Sequence, residues 1–509
     1  MCESVAILSK SQNKCFFSFS GLFDIHKMGN TPFTCGEIND DHGFQLMEAF
    51  NWALDYVNTN QGIFSDKLLA VRLGSLIFDT CKSPVRSGNL VANYHARNFE
   101  VRNAQGRIDP STVDLYIGPM TSEASIRVAD VLREFAIPQI SYGASSMELI
   151  DERDYRLFLR TVPADDKQAR ALISVLKKYR YDNIQVISQN SSVGEFAREE
   201  FLRLAPLNRI CVSEEYIVGV DGMVNTAEAM SVVSRITTNP NAKVVVVIMD
   251  DPYTFLKAAN DNAQIIAGGY AFIATDKMGF GITGYRNLEG IQRLVENRRL
   301  ITLEVESADY PEIDAYLEKT RPAEYTNNPW FKEYFEYKHN CTVDAQPNAK
   351  YSQVCSEEVQ GYTRADGYIQ DPYALYVVNA VFAAALGIHQ TIIEYCGTSQ
   401  QFCPYLQSHG EKRELFLENI KKVRFTDRTD QPFYFESSTR SSDRGYHVYE
   451  PQNMSMSLHY GAETGHYYWE DVSVTGLQIN FQKSYIQTNL HVCFLINSVS
   501  IEPDYALII

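Results

Sequence analysis

The chain has 509 residues, too many for a single hydrophobic core, so two or more domains are expected. Hydrophobic residues make up 45% and charged residues 21%, an ordinary globular balance. The formal charge of -17 argues against nucleic acid or an anionic membrane surface as partner, and it suits a small cationic or zwitterionic ligand.

In chain order, the first informative unit is a strand through Val113, Leu115 and Ile117. It runs into Gly118-Pro119 and then a helix that Ser122 caps, with Val128, Val131 and Phe135 at helical spacing. A strand Ile137 to Tyr142 follows, ending in Gly143-Ala144-Ser145-Ser146 and a second helix start. A helix is predicted over Asp165 to Tyr181, a strand over Asn183 to Ser188 and a helix over Gly194 to Ala205. Strand Ile210 to Val218, helix Thr226 to Ile236, strand Val244 to Met249 and strand Ala271 to Ala274 complete a second parallel sheet. The segment from about Tyr285 to Pro347 is richer in charge and aromatics, and a buried helix spans Tyr373 to Gly387. The pattern is α/β, two doubly wound parallel-sheet lobes around a cleft.

Both small-residue turns lie beyond the carboxyl ends of their strands, where open α/β sheets bind ligands. Backbone N–H groups at such helix starts carry partial positive charge and, with the hydroxyls of Thr121 and Ser122, suit a carboxylate. Taken alone, each turn reads more readily as an ordinary strand-to-helix connection with a Ser N-cap, and it is the two together that point to a ligand site.

No apolar run reaches the roughly 18 residues of a membrane span, and Leu490 to Ile501 is short and interrupted by polar residues. The start, MCESVAILSKSQNK, is a poor signal peptide. Ten cysteines lack zinc-finger spacing, so disulfides in an oxidising compartment are expected. Spacing does not fix connectivity; the expected pairs are Cys35-Cys81, Cys341-Cys355 and Cys396-Cys403. Asn190, Asn340 and Asn453 match the glycosylation acceptor pattern. A secreted-looking body behind a start without a usable signal points to a truncated gene start.

The segments GLFDIHK, CGEIND, GFQLMEAFNWALDYVN, LGSLIFDTC, YIGPMTSEAS, IPQISYGASS, FLRTVPADDKQARAL and Asn328-Pro329-Trp330-Phe331 carry a family resemblance over about Ser18 to Asn480. The chain resembles the extracellular Venus-flytrap domain of class C G-protein-coupled receptors, closest to metabotropic glutamate receptors. The resemblance implies a type 1 periplasmic-binding-protein-like fold with three crossings between discontinuous lobes. Lobe one takes 18–159 and 300–423, lobe two takes 160–299 and 424–483, and 484–509 is a divergent tail. It also implies an α-amino acid bridging the lobes, with Ser122 and the backbone of Gly143 at its carboxylate and Ser145, Asp165 and Asp276 at its amino group. Cys211, whose counterpart pairs with a cysteine-rich stalk, has no evident mate here.

Departures from the family pattern change the expected ligand. Val193 stands where the family has Tyr, which removes a cation-π face of about 0.5 to 2 kcal/mol. Leu46, Tyr373 and Gly281 replace the cations that meet glutamate's distal carboxylate. An unpaired, desolvated carboxylate is strongly unfavourable. A neutral or apolar amino acid or related amine is therefore expected, with His42, Leu46 and Tyr373 lining the distal pocket. Asp250 and Asp251 read as solvated turn acids, and no metal or other cofactor is called for.

The resemblance further implies a homodimer or heterodimer through lobe one, using the helices after Cys81 and Ser122, and a G protein reached only through a membrane part absent from this chain. The alternative is a soluble, secreted amino-acid-binding or decoy protein. An enzyme is not expected: no Gly-x-Ser-x-Gly elbow, HExxH, phosphate loop or local Cys-His signature occurs.

Overall fold

The computed structural model describes residues 5–7, 17–40, 42–68, 71–103, 106–219, 224–249, 252–276, 291–297, 299–319, 328–356, 361, 368–397, 403–407, 409–442, 444–450, 454–461 and 466–471. It contains two main sheets. In the first, Leu73–Asp79, Phe17–Phe23, Val113–Ile117, Gln139–Ser141 and Phe158–Arg160 lie side by side and parallel, with Val5–Ile7 antiparallel on the outer edge. In the second, Cys211–Val218, Asn183–Gln189, Val244–Ile248, Ala271–Asp276 and Leu300–Val305 repeat the parallel arrangement. Tyr446–Glu450, Met454–Gly461 and His466–Asp471 extend it antiparallel. Numbered along the chain, the five parallel strands of each sheet have the order 2-1-3-4-5, a doubly wound topology used twice. The fold is the expected two-lobe, periplasmic-binding-protein-like α/β architecture.

The strands read as buried because they are: Leu73–Asp79, Val113–Ile117, Val244–Ile248 and Leu300–Val305 are buried throughout, as parallel strands covered on both faces must be. Several helices carry their own termination signals. Thr226–Ile236 is entered from Asn225, whose side chain accepts the Glu228 N–H. Asp165–Tyr179 starts with two acids, ends with Lys177 and Lys178, and stops at Arg180 in the left-handed conformation.

Helix Ala374–Cys396 is longer than the predicted 373–387 segment, and it corrects the expectation about apolar length. By length and hydropathy it qualifies as a membrane-spanning helix, yet 78% of its most apolar window is buried inside the protein. It packs between Gly43–Asn58 and His409–Ile420. The Asn328-Pro329-Trp330-Phe331 motif closes the same core. Asn328 donates to Glu48 at 2.6 Å, Trp330 is buried, and Tyr334 of the helix that follows stacks on Phe44 at 3.9 Å.

Two expected lobe boundaries move. Strand Leu300–Val305 belongs to the second sheet, so the second crossing falls after it, where Glu306 N–H donates to Gly445 O at 3.0 Å. The hairpin of Arg424–Thr426 and Pro432–Tyr434 packs through Phe425 on Phe382 of the core helix, so the chain leaves that helix only near Arg440. The 484–509 tail lies outside the described residues.

The three expected disulfides, Cys35-Cys81, Cys341-Cys355 and Cys396-Cys403, are formed. Cys211 is disulfide-bonded as well, which corrects the reading that it has no mate.

Candidate functional site

Strand Val113–Ile117 ends at Gly118 with φ +94°, where a Cβ would come within 2.4 Å of Leu22 O, so glycine is required. The helix that follows, Ser122–Glu134, is capped by Thr121, whose hydroxyl accepts the Ala124 N–H; Ser122 is the first helical residue rather than the cap. Phe135, at helical spacing with Val128 and Val131, ends the helix exposed.

The second turn differs from its prediction. After Gln139–Ser141 the chain makes only a short 3₁₀ turn, Met147–Ile150, not a helix. The two turns interlock. Ser141 Oγ donates to Pro119 O at 2.7 Å and accepts from Gly143 N and Ala144 N, while Ser146 N–H donates to Ser122 Oγ at 3.2 Å. Gly143 fits because a Cβ there would meet Met120 O at 2.7 Å.

A pocket opens between the two sheets. Gly143, Ser145 and Tyr373 line it from the first lobe, Val162 and Pro163 from the first crossing, Asp165 and Gln168 from the helix Asp165–Tyr179 that follows, and Leu303, Val305 and Tyr446 from the second sheet. Its free volume is about 10 Å³, room for one water. Nothing larger than a water fits it as it stands.

The pocket lies beside the last parallel strand of each sheet, next to the crossings, rather than at the point where the strand order reverses. Asp165 is fully buried at the first position of its helix, where the helix dipole favours a carboxylate. Its N–H donates to Ser145 O at 3.0 Å. The neighbouring Asp166 carboxyl is pushed up by burial, against the pull of Lys167 and Arg170. Gln168 follows Asp165 by three residues on one helix face, a spacing that was open to inspection in the sequence.

Four of the expected ligand residues thus meet: Gly143, Ser145, Asp165 and Tyr373. Others do not. Ser122 is buried and holds Ser146 instead of lining the pocket. Leu46 is fully buried in the hydrophobic core. His42 binds Asp371 at 2.7 Å, and Asp371 in turn accepts the Tyr373 N–H at 2.7 Å, so His42 supports the wall from behind the backbone. Asp276 ends its strand in register with Glu304, but its side chain, like that of Val193, lies outside the described residues. Asp250, Asp251 and Gly281 lie outside them too.

Away from the pocket, the donor atoms of His26, Asp79 and Cys81 lie within 4.8 Å of one another. Their chemistry is that of a latch. Cys81 is tied to Cys35, and the His26 imidazole sits between Asp79 at 2.6 Å and Glu333 at 3.1 Å. Although burial opposes the charge, hydrogen bonds to both carboxylates push His26 up to about 9.

Two wound lobes with a buried, acid-bearing pocket between them define a ligand-binding domain of the two-lobe type. Residues 45–454 match the family described as receptor family ligand binding region. The chain belongs to that family, which includes the Venus-flytrap domains of class C G-protein-coupled receptors and related periplasmic-binding-like domains.

Proposed function

We propose that the protein is the ligand-binding extracellular domain of a metabotropic glutamate receptor-like class C receptor, taking a neutral or apolar amino acid, or a related amine, between its lobes. The observation that supports this ligand class is the pocket lining itself. It combines a buried carboxylate, a hydroxyl and an amide with apolar and tyrosine walls, and no lysine or arginine stands among the described lining residues. A zwitterion's ammonium has Asp165 to meet, with Asp276 as its second acid, whereas a second carboxylate on the ligand would be desolvated without a cation. Closure follows from differential affinity: whichever ligand binds the closed form better draws the lobes together.

Exposed Asn190 and Asn340 suit glycosylation in an extracellular compartment, as does the set of disulfides. Asn453 lies outside the described residues. Pairing through the lobe-one helices Pro84–His95 and Ser122–Glu134, which pack on each other, is part of the same proposal. A secreted binding or decoy protein is the second reading; it shares the pocket and differs only in having nothing to signal through.

Thermal shift against the twenty amino acids, with Asp276→Ala as control, tests the ligand. At 100 times the dissociation constant, binding adds about 2.7 kcal/mol to stability. A shift with a neutral amino acid that the variant lacks supports the proposal. A shift with glutamate alone overturns the ligand class.

A further inference from the structure

We propose that Arg160 is a positioning residue for this pocket, a clamp that fixes the turn around Ser145 to the lobe crossings. Its effect on a ligand rests on the pocket reading above; the clamp itself does not.

Arg160 has no exposed surface. One guanidinium nitrogen donates to Ser146 O at 2.7 Å and to Ala144 O at 3.4 Å, the carbonyls on either side of Ser145. The other terminal nitrogen donates to Thr439 O at 3.3 Å, on the third crossing. The backbone of the same residue binds that crossing twice more: Arg160 N–H donates to Arg440 O at 3.1 Å, and Arg160 O accepts from Ser442 N at 3.2 Å. One side chain therefore joins the first crossing, the third crossing and the turn.

The turn passes this constraint to the pocket. Ser145 O accepts the Asp165 N–H, so two pocket-lining residues, Ser145 and Asp165, hang from one cation, while Ser146 N–H ties the same turn to Ser122 Oγ. Asp165 and Asp166 attract Arg160 electrostatically, against a burial effect that lowers the guanidinium to about 10. Burying a charge is costly, and packing alone would be served by an apolar side chain of similar volume. A planar fork that reaches three carbonyls at once is what only arginine supplies; lysine keeps the charge and loses the fork.

Amide hydrogen exchange on the whole chain, comparing wild type with Arg160→Lys and Arg160→Gln, tests the clamp. The amides of Ser146 and Asp165 should exchange about tenfold faster in Arg160→Lys, while Val246 and Val247 in the second sheet stay within about twofold. Uniform acceleration at all four amides would reduce Arg160 to a general stability role, and no change at Ser146 and Asp165 would remove the clamp. If Arg160→Gln does not fold, Arg160→Lys alone decides. In the ligand arm, any of the twenty amino acids that stabilises the wild type should bind Arg160→Lys about tenfold more weakly. Equal affinity would overturn the positioning role. Should none stabilise the wild type, the pocket reading fails while the exchange experiment still decides the clamp.

Discussion

The first lobe and the lobe crossings both bury cations, but they hold them differently. Under the first sheet, Lys412 sits 2.6 Å from the Asp114 carboxylate, both nearly free of solvent, and the adjacent Arg413 donates to Ser111 O and Val113 O. At the first crossing, Arg160 is seated on carbonyl oxygens and attracted by Asp165 and Asp166. A cation matched to its own carboxylate fastens helix His409–Ile420 to strand Val113–Ile117. A cation seated on carbonyls ties a turn to the crossings instead. The first is a structural ion pair, and the second is the residue proposed to position the pocket.

Breaking the first kind should have the largest effect. Lys412→Met leaves Asp114 buried without its cation and should cost about 3 to 5 kcal/mol in urea denaturation. Adding Asp114→Leu should recover most of that loss, because the stranded charge is then gone; no recovery would mean that the pair is not what fastens the helix. Next comes Gly143→Ala, whose Cβ would press on Met120 and should cost about 1 to 3 kcal/mol, read from the melting temperature together with faster exchange at Ser146.

A smaller effect distinguishes two histidines within lobe one. Folding raises His26 from 6.5 to about 9, so its stabilisation is complete below pH 6.5 and is lost as pH rises through 9. Burial, with help from Arg413, lowers His95 to about 4, so its cost is absent above pH 6.5 and grows as pH falls towards 4. Stability measured across pH should therefore fall on both sides, and His26→Gln should flatten the alkaline side alone. A variant that keeps the alkaline slope would show that His26 does not cause it.

The fold was legible in the sequence where periodicity was strong. Helix Thr226–Ile236 appears at its predicted limits, and the strands around Val113 and Val244 appear within a residue of theirs. Legibility failed where tertiary contacts decide. The residues after Ser146 carry helix-like signals, but the chain must return at once to strand Phe158–Arg160, and only a 3₁₀ turn and the four-residue helix Glu152–Tyr155 fit.

The site was readable in part for the same reason. Asp165 and Tyr373 could be placed from the resemblance, yet nothing local to Leu46 or Ser122 says that one is packed into the core and the other spent on a neighbouring turn. Tyr446, Leu303 and Val305 enter the pocket from strands more than a hundred residues away in sequence from Asp165, and pattern along the chain does not carry that juxtaposition.

The most direct test of the account is isothermal titration of the chain with the neutral amino acids and with glutamate, using wild type and Asp165→Asn side by side. Saturable heat with a neutral amino acid is expected, lost in Asp165→Asn while the variant keeps the wild-type circular dichroism. Saturable heat with glutamate alone, or equal binding by both proteins, would contradict it.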